Sequence, residues 1–270
     1  MSDRKTLVMR PLALPGAQGE LAARLYSLPS DQAANGLIVF FHQGGFVGGC
    51  LEDADKFVRG LALCSGLPVL AATYTLAGQR PFPAAVEDAY SVLCWALANH
   101  AALGWNGARL IAAGIEAGGN LAAVSALVAR DRSGPALAAQ ILIMPMLDPG
   151  LSTGSMRLLS ASVADACAAG YRGYLPRVAD RMHPYASPLQ SSRLKGLPPA
   201  LILSAEDDPL RDEAEQYGTK LIAAGISTLV RRLPPHPLQE GTARCDYARE
   251  AGALNEIAAF ISAQGMPHPR

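Results

Sequence analysis

The stretch that most constrains the fold is residues 109–130. Residues 110–113, LIAA, form a short apolar run of the kind buried in a parallel strand. A tight turn follows, Gly114-Ile115-Glu116-Ala117-Gly118, and then the alanine-rich run NLAAVSALVAR, which predicts a helix. Strand, glycine-bounded turn and helix are the setting of a nucleophile elbow, where the central side chain of G-x-S-x-G is lifted above a sheet. Glycines suit it because the turn is strained and strand and helix pass close together. Here the frame is present and the serine is not: Glu116 stands at its centre.

The rest of the chain alternates in the same way. Residues 7–14 and 21–25 read as a hairpin turning through Pro15-Gly16 to Gly19. LIVFF, residues 37–41, suits a strand buried on both faces, and His42-Gln43-Gly44-Gly45-Phe46 follows as a loop. Helical spacing marks residues 53–65 and 84–99, with a strand at 68–72 between them. Further strands are expected at 140–144, 200–204 and 228–233, with helices at 212–224 and 247–263. Residues 148–197 break the alternation. An excursion this long is expected to be a lid or cap, with short helices near 163–171. Strands alternating with helices imply one mostly parallel sheet covered on both faces. All 270 residues are expected to form a single domain, with 148–197 as a cap-like insertion.

Composition narrows the function. Lys plus Arg equals Asp plus Glu at 23 each, so no basic excess draws the chain to nucleic acid or anionic lipid. The five cysteines, Cys50, Cys64, Cys94, Cys167 and Cys245, are widely spaced with no C-x-x-C pair, which indicates neither a zinc site nor a disulfide framework. No metal and no cofactor is expected. The N-terminus lacks an apolar run of signal-peptide length. Residues 89–108 are broken by Asn99, His100, Gly104 and Asn106 and read as a buried helix and loop rather than a membrane span. The expectation is a cytoplasmic protein with a small-molecule substrate or ligand.

Three chemical elements fall in a meaningful order. The loop after LIVFF offers backbone N–H groups at Gly44 and Gly45, and the elbow offers that of Ala117, which together suit an oxyanion hole. Asp208 follows a strand, and His236 follows the next. Elbow, acid, histidine is the chain order of α/β-hydrolases. The sequence resembles their hormone-sensitive-lipase-like esterase branch over nearly its whole length. FHQGGFVGG resembles that family's HGGG loop, RPFPAAVEDAYSVLCW its PFPAAxEDxxxAxxW segment, and AAGIEAGGNLAA its AGDSAGGNLAA elbow. HPYASPL, GLPPALI and DDPLRDEAEQYGTKLIAAG match as well. The resemblance implies an α/β-hydrolase fold with a mostly parallel, eight-stranded sheet and a reduced cap. It assigns the charge-orienting acid to Asp208, the general base to His236, the oxyanion donors to Gly44, Gly45 and Ala117, and the nucleophile position to Glu116.

Four departures stand out. Glu116 replaces the serine, Ile115 the acid before it, and Gln43 the first glycine of HGGG. Tyr74-Thr75-Leu76-Ala77-Gly78-Gln79 replaces YRLAPE. The stretch before the HGGG-like loop is also short, so most of the family's N-terminal cap is expected to be absent. Glu116 supplies no hydroxyl, so ordinary serine-esterase turnover is not expected. Two readings follow. One is a hydrolase acting on a small ester-like or related substrate, in which Glu116 acts as nucleophile or general base, served by His236 and Asp208. The other is an inactive homologue that binds a small molecule as sensor, carrier or scaffold. Gly150-Leu151-Ser152-Thr153-Gly154 also fits G-x-S-x-G, but Asp148-Pro149 separates it from its strand and no clear helix is expected to start at Thr153. Asp208 has a second possible role as the N-cap of the following helix.

Overall fold

A computed structural model describes residues 6–158, 161–235 and 251–264. His236, and residues 247–250 of the expected last helix, lie outside the described residues.

The N-terminal hairpin is present: β1 (Val8–Pro15) pairs antiparallel with β2 (Glu20–Ser27), which pairs antiparallel with β4 (Val69–Ala72). The remaining strands run parallel: β3 (Leu37–Phe41), β5 (Leu110–Ile115), β6 (Leu137–Ile143), β7 (Ala200–Ala205) and β8 (Thr228–Leu233). The spatial order is β1-β2-β4-β3-β5-β6-β7-β8, an eight-stranded sheet. β5 runs two residues past the expected end of its strand. Gly114 and Ile115 read as turn in the sequence, yet they pair with Leu142 and Ile143 of β6.

Both faces are covered, and β3 shows why all five of its residues are apolar. Leu37, Val39 and Phe41 pack toward α2 (Ala84–Ala98) and α3 (Ala117–Asp131), while Ile38 and Phe40 pack toward α1 (Leu51–Ser65) and α7 (Ala251–Ala263). A strand alternates its side chains, so covering both faces makes every position apolar. α3 is buried along nearly its whole length, from Ala117 to Ala129. Its alanines and glycines let it lie close to the sheet while α2 packs beside it.

Between β6 and β7 the chain forms α4 (Gly154–Leu158), α5 (Ala161–Tyr174) and two short 3-10 turns, Val178–Met182 and Pro188–Gln190. No clear helix is expected to start at Thr153; the short helix α4 begins one residue later, at Gly154. Its Ser155 is tied to the start of α6 (Arg211–Ala223), donating its amide to Asp212 Oδ2 and its hydroxyl to Pro209 O. Ser152 is exposed and belongs to no elbow. No helix among the described residues is long and apolar enough to cross a membrane.

Candidate active site

The turn between β5 and α3 places Glu116 at φ 56° and ψ −113°. A side-chain-bearing residue at positive φ is strained and persists only when its surroundings over-determine it. Three backbone hydrogen bonds do so here. Glu116 N–H donates to Ile143 O at 3.0 Å, and Glu116 O accepts from Asn120 N and Met146 N, each at 3.0 Å. The flanking glycines leave no room for a side chain. A Cβ at Gly114 stands 2.1 Å from Gly118 O, and one at Gly118 stands 2.0 Å from Phe41 O. Only two bare backbones pass at that distance, so the G-x-E-x-G pattern is a geometric requirement of the turn.

The loop expected to supply oxyanion donors follows β3, the neighbour of β5. Gly44 adopts φ 129° and Gly45 φ 60°. A Cβ on Gly44 stands 2.2 Å from Gly48 O, and Gly44 O accepts from Val47 N and Gly48 N. His42 braces the loop. Its ring stacks on Tyr74 with centroids 4.5 Å apart, and its Nδ1 lies 2.6 Å from Gln43 O. A carbonyl partner requires the proton on Nδ1. Burial lowers the His42 pKa, against smaller upward pulls from the Gln43 carbonyl, Asp53 and Glu116, so the ring is neutral at neutral pH. Tyr74 donates its hydroxyl to His42 O at 3.1 Å. Burial first, then the nearby charge of Glu116, holds that phenol well above its ordinary range.

The decisive contact joins these two parts. Gly44 N–H and Gly45 N–H both donate to Glu116 Oε2, at 2.7 and 3.1 Å. The carboxylate therefore occupies the place where such amides would hold an oxyanion. The cost of keeping a carboxylate in this half-buried pocket is offset by two charge-assisted bonds. Ala117, the third expected donor, opens α3 beside Glu116 and is fully buried.

Asp208 lies in the loop after β7 and is 1% exposed. Its Oδ1 accepts from Leu210 N at 2.8 Å, while the N-cap of α6 is Leu210 itself. Asp208 thus closes a turn before the helix rather than capping it, because it sits two residues short of the cap position. The placement of His236, the third member of the expected set, lies outside the described residues.

Sequence reasoning passed over two groups that hold the site. Asp88, fully buried in α2, accepts Ala17 N at 2.8 Å and Gln18 N at 3.3 Å on one oxygen, and Thr75 N at 2.8 Å on the other. It ties the hairpin turn to the loop that carries Tyr74. The only sequence signal was its place in the PFPAAVEDAY segment. The second group is α5, whose Tyr174 stacks on Phe46 of the loop after β3 with centroids 3.8 Å apart and planes within 3°. Helical spacing gave no hint of that partner.

The fold that carries these residues has counterparts among known proteins. Residues 38–237 match a family described as alpha/beta hydrolase fold. The chain belongs to this α/β-hydrolase family. It is 35% identical over 218 residues to an arylesterase of Saccharolobus solfataricus, covering 79% of this chain and 71% of that one. It is also 35% identical over 221 residues to carboxylesterase NlhH of Mycobacterium tuberculosis, with 80% and 69% covered. Among solved structures, an esterase of Pyrobaculum calidifontis superposes with a TM-score of 0.86 at 35% identity, covering 96% of this chain and 86% of that one. The α/β-hydrolase fold is thus shared with proteins named as esterases.

Proposed function

We propose that this α/β-hydrolase acts on a small molecule with an electrophilic saturated carbon, such as an epoxide or a carbon–halogen compound, through a covalent ester on Glu116. The observation that carries the reading is the seating of Oε2 on the amides of Gly44 and Gly45. A substrate carbonyl needs those same donors for its developing oxyanion, so ordinary acyl transfer competes with the protein's own carboxylate. Attack by the carboxylate on carbon does not. Oε1 displaces the leaving group, which departs with the bonding electron pair, and Glu116 becomes an ester whose carbonyl oxygen is Oε2. His236, oriented by Asp208, then takes a proton from water as the water attacks Cδ. The charge that develops on Oε2 rests on the two amides already in place. The Cδ–Oε1 bond breaks, the alcohol leaves with the proton, and Glu116 is regenerated carrying the oxygen of water.

That oxygen is the test. A single turnover in 18O-water on a panel of epoxides and alkyl halides should place the label in the Glu116 peptide and not in the product. Label in the product from the first turnover would mean direct attack by water, with Glu116 as a general base. The second reading, a ligand-binding homologue without turnover, draws on the same contact, since an oxyanion hole filled from within is also what an inactive site presents. No turnover on the panel, together with saturable binding of one of its compounds, would favour it.

A further inference from the structure

Helix α5 carries two glycines, Gly170 and Gly173, in its C-terminal half. Glycine is the poorest ordinary residue in a helix interior, so this sequence works against its own helix at two positions. Packing accounts for both. A Cβ on Gly170 stands 2.6 Å from Gly45 O and 3.3 Å from Gly45 Cα. A Cβ on Gly173 stands 2.7 Å from Val47 Cγ1. Phe46, between those loop residues, is fully buried and stacks on Tyr174. Its carbonyl accepts from Ala77 N at 2.9 Å. Tyr174 O in turn accepts from Phe82 N at 3.0 Å. The bare backbone of α5 therefore lies on the residue whose N–H reaches Glu116, and an aromatic stack locks the two together.

We propose that Gly170 is a positioning residue for the Gly45 amide: its missing side chain lets α5 set where Gly45 stands over Glu116 Oε2. The inference builds on reading Gly44 and Gly45 as the donors that hold charge on Glu116. Of the two, Gly45 makes the longer bond, 3.1 against 2.7 Å, and is the one that α5 touches. A methyl on Gly170 meets backbone, which cannot turn aside. A methyl on Gly173 meets the end of the Val47 side chain, which is 46% exposed and can. Gly252, in α7, has nothing within 4 Å of its Cβ position and isolates the helix-propensity effect alone.

The experiment compares Gly170→Ala, Gly173→Ala and Gly252→Ala by amide hydrogen exchange, thermal unfolding and kinetics. In Gly170→Ala the Gly45 amide should exchange about tenfold faster or more, with Gly44 and the core strands within about twofold of the parent. Gly173→Ala and Gly252→Ala should leave both loop amides unchanged, and Gly252→Ala should raise the Tm. On any substrate the parent turns over, Gly170→Ala should lower kcat about tenfold with little change in KM, as expected for a donor that acts on developing charge. A folded Gly170→Ala with parental Gly45 exchange would overturn the proposal, as would uniform loosening of the whole chain. Should Gly170→Ala fail to fold, Phe46→Leu removes the stack without adding atoms. It should give the same Gly45-selective acceleration, and parental exchange there would overturn the proposal equally. Exchange is read without substrate, so an absent 18O label in Glu116 sinks the covalent reading and leaves this inference standing.

Discussion

At the elbow, backbone holds backbone: Glu116 is pinned by three main-chain hydrogen bonds and flanked by two glycines where an added Cβ would stand only 2.0–2.1 Å from a carbonyl oxygen. In the segment between β6 and β7, side chains do much of the holding. Asn120 Nδ2 donates to Met146 O and Ala186 O, Ser187 Oγ to Leu147 O, and Arg130 Nη1 to Arg193 O and Lys195 O. Ser155 and Asp212 exchange two bonds, amide to carboxylate at 2.6 Å and amide to hydroxyl at 3.1 Å. That segment also leaves Leu158, Val178 and Met182 exposed, whereas the strands beneath the elbow bury every residue of β3 and β5. The two regions should fail differently. The elbow is broken by adding an atom, and the segment between β6 and β7 is loosened one bond at a time, each worth about 1 kcal/mol.

The largest effect expected is from Gly118→Ala. Its Cβ meets Phe41 O at 2.0 Å, with backbone on both sides, and the cost should be about 3 kcal/mol or more in urea unfolding. A variant of near-parental stability would show that the elbow has slack. Next is Glu116→Ser. Removing the carboxylate releases the amides of Gly44 and Gly45, and a hydroxyl then stands where an acyl-transfer nucleophile belongs. Hydrolysis of short p-nitrophenyl esters should rise about a hundredfold over the parent, and His236→Ala should abolish the gain. A folded Glu116→Ser protein without any gain would mean the frame no longer supports serine chemistry.

The segment between β6 and β7 should respond more modestly. Burial pushes the Asp212 carboxyl upward, but the Ser155 amide and Arg211 together outweigh it and leave its pKa below the ordinary value. A depressed carboxylate stabilises the fold fully above its unfolded pKa, about 3.9, and loses that contribution as pH falls through the lower folded value. Acidification through that window should release Ser155 from Asp212, seen as a shift of the Ser155 amide resonance, while the Gly114 and Gly118 resonances hold. Asp212→Asn should reproduce the release at neutral pH and cost about 1 kcal/mol or less, since the side chain is 24% exposed. The smallest effect is expected from Ser152→Ala. This exposed serine lies in the G-x-S-x-G look-alike, and its loss should change stability by under about 0.5 kcal/mol and leave any turnover intact.

Much of this molecule is legible in the sequence because the signals are local. LIVFF, the glycine-bounded elbow and the alanine run after it each declare a short element, and each is found within a few residues of its expected place. The look-alike at Ser152 is rejected on the same local ground, the lack of a strand leading directly into it. Other features were not legible. The sequence at Gly114 and Ile115 reads as turn, and only the ladder to β6 extends the strand. The role of Asp88 joins residues about seventy positions apart, and no periodicity marks such a pairing.

By itself the sequence determined that a carboxylate stands at the centre of an elbow in an α/β-hydrolase chain, because composition, local spacing and motif order are written along the chain. Only the tertiary structure decided where that carboxylate goes. The contact of Glu116 Oε2 with Gly44 and Gly45 spans 72 and 71 residues, and exists because β3 and β5 are neighbours in the sheet and bring their C-terminal loops together. The seat of α5 on Gly45 is of the same kind. A helix's own pattern says which face is apolar, but a glycine in it stays unexplained until the backbone it must approach is in view.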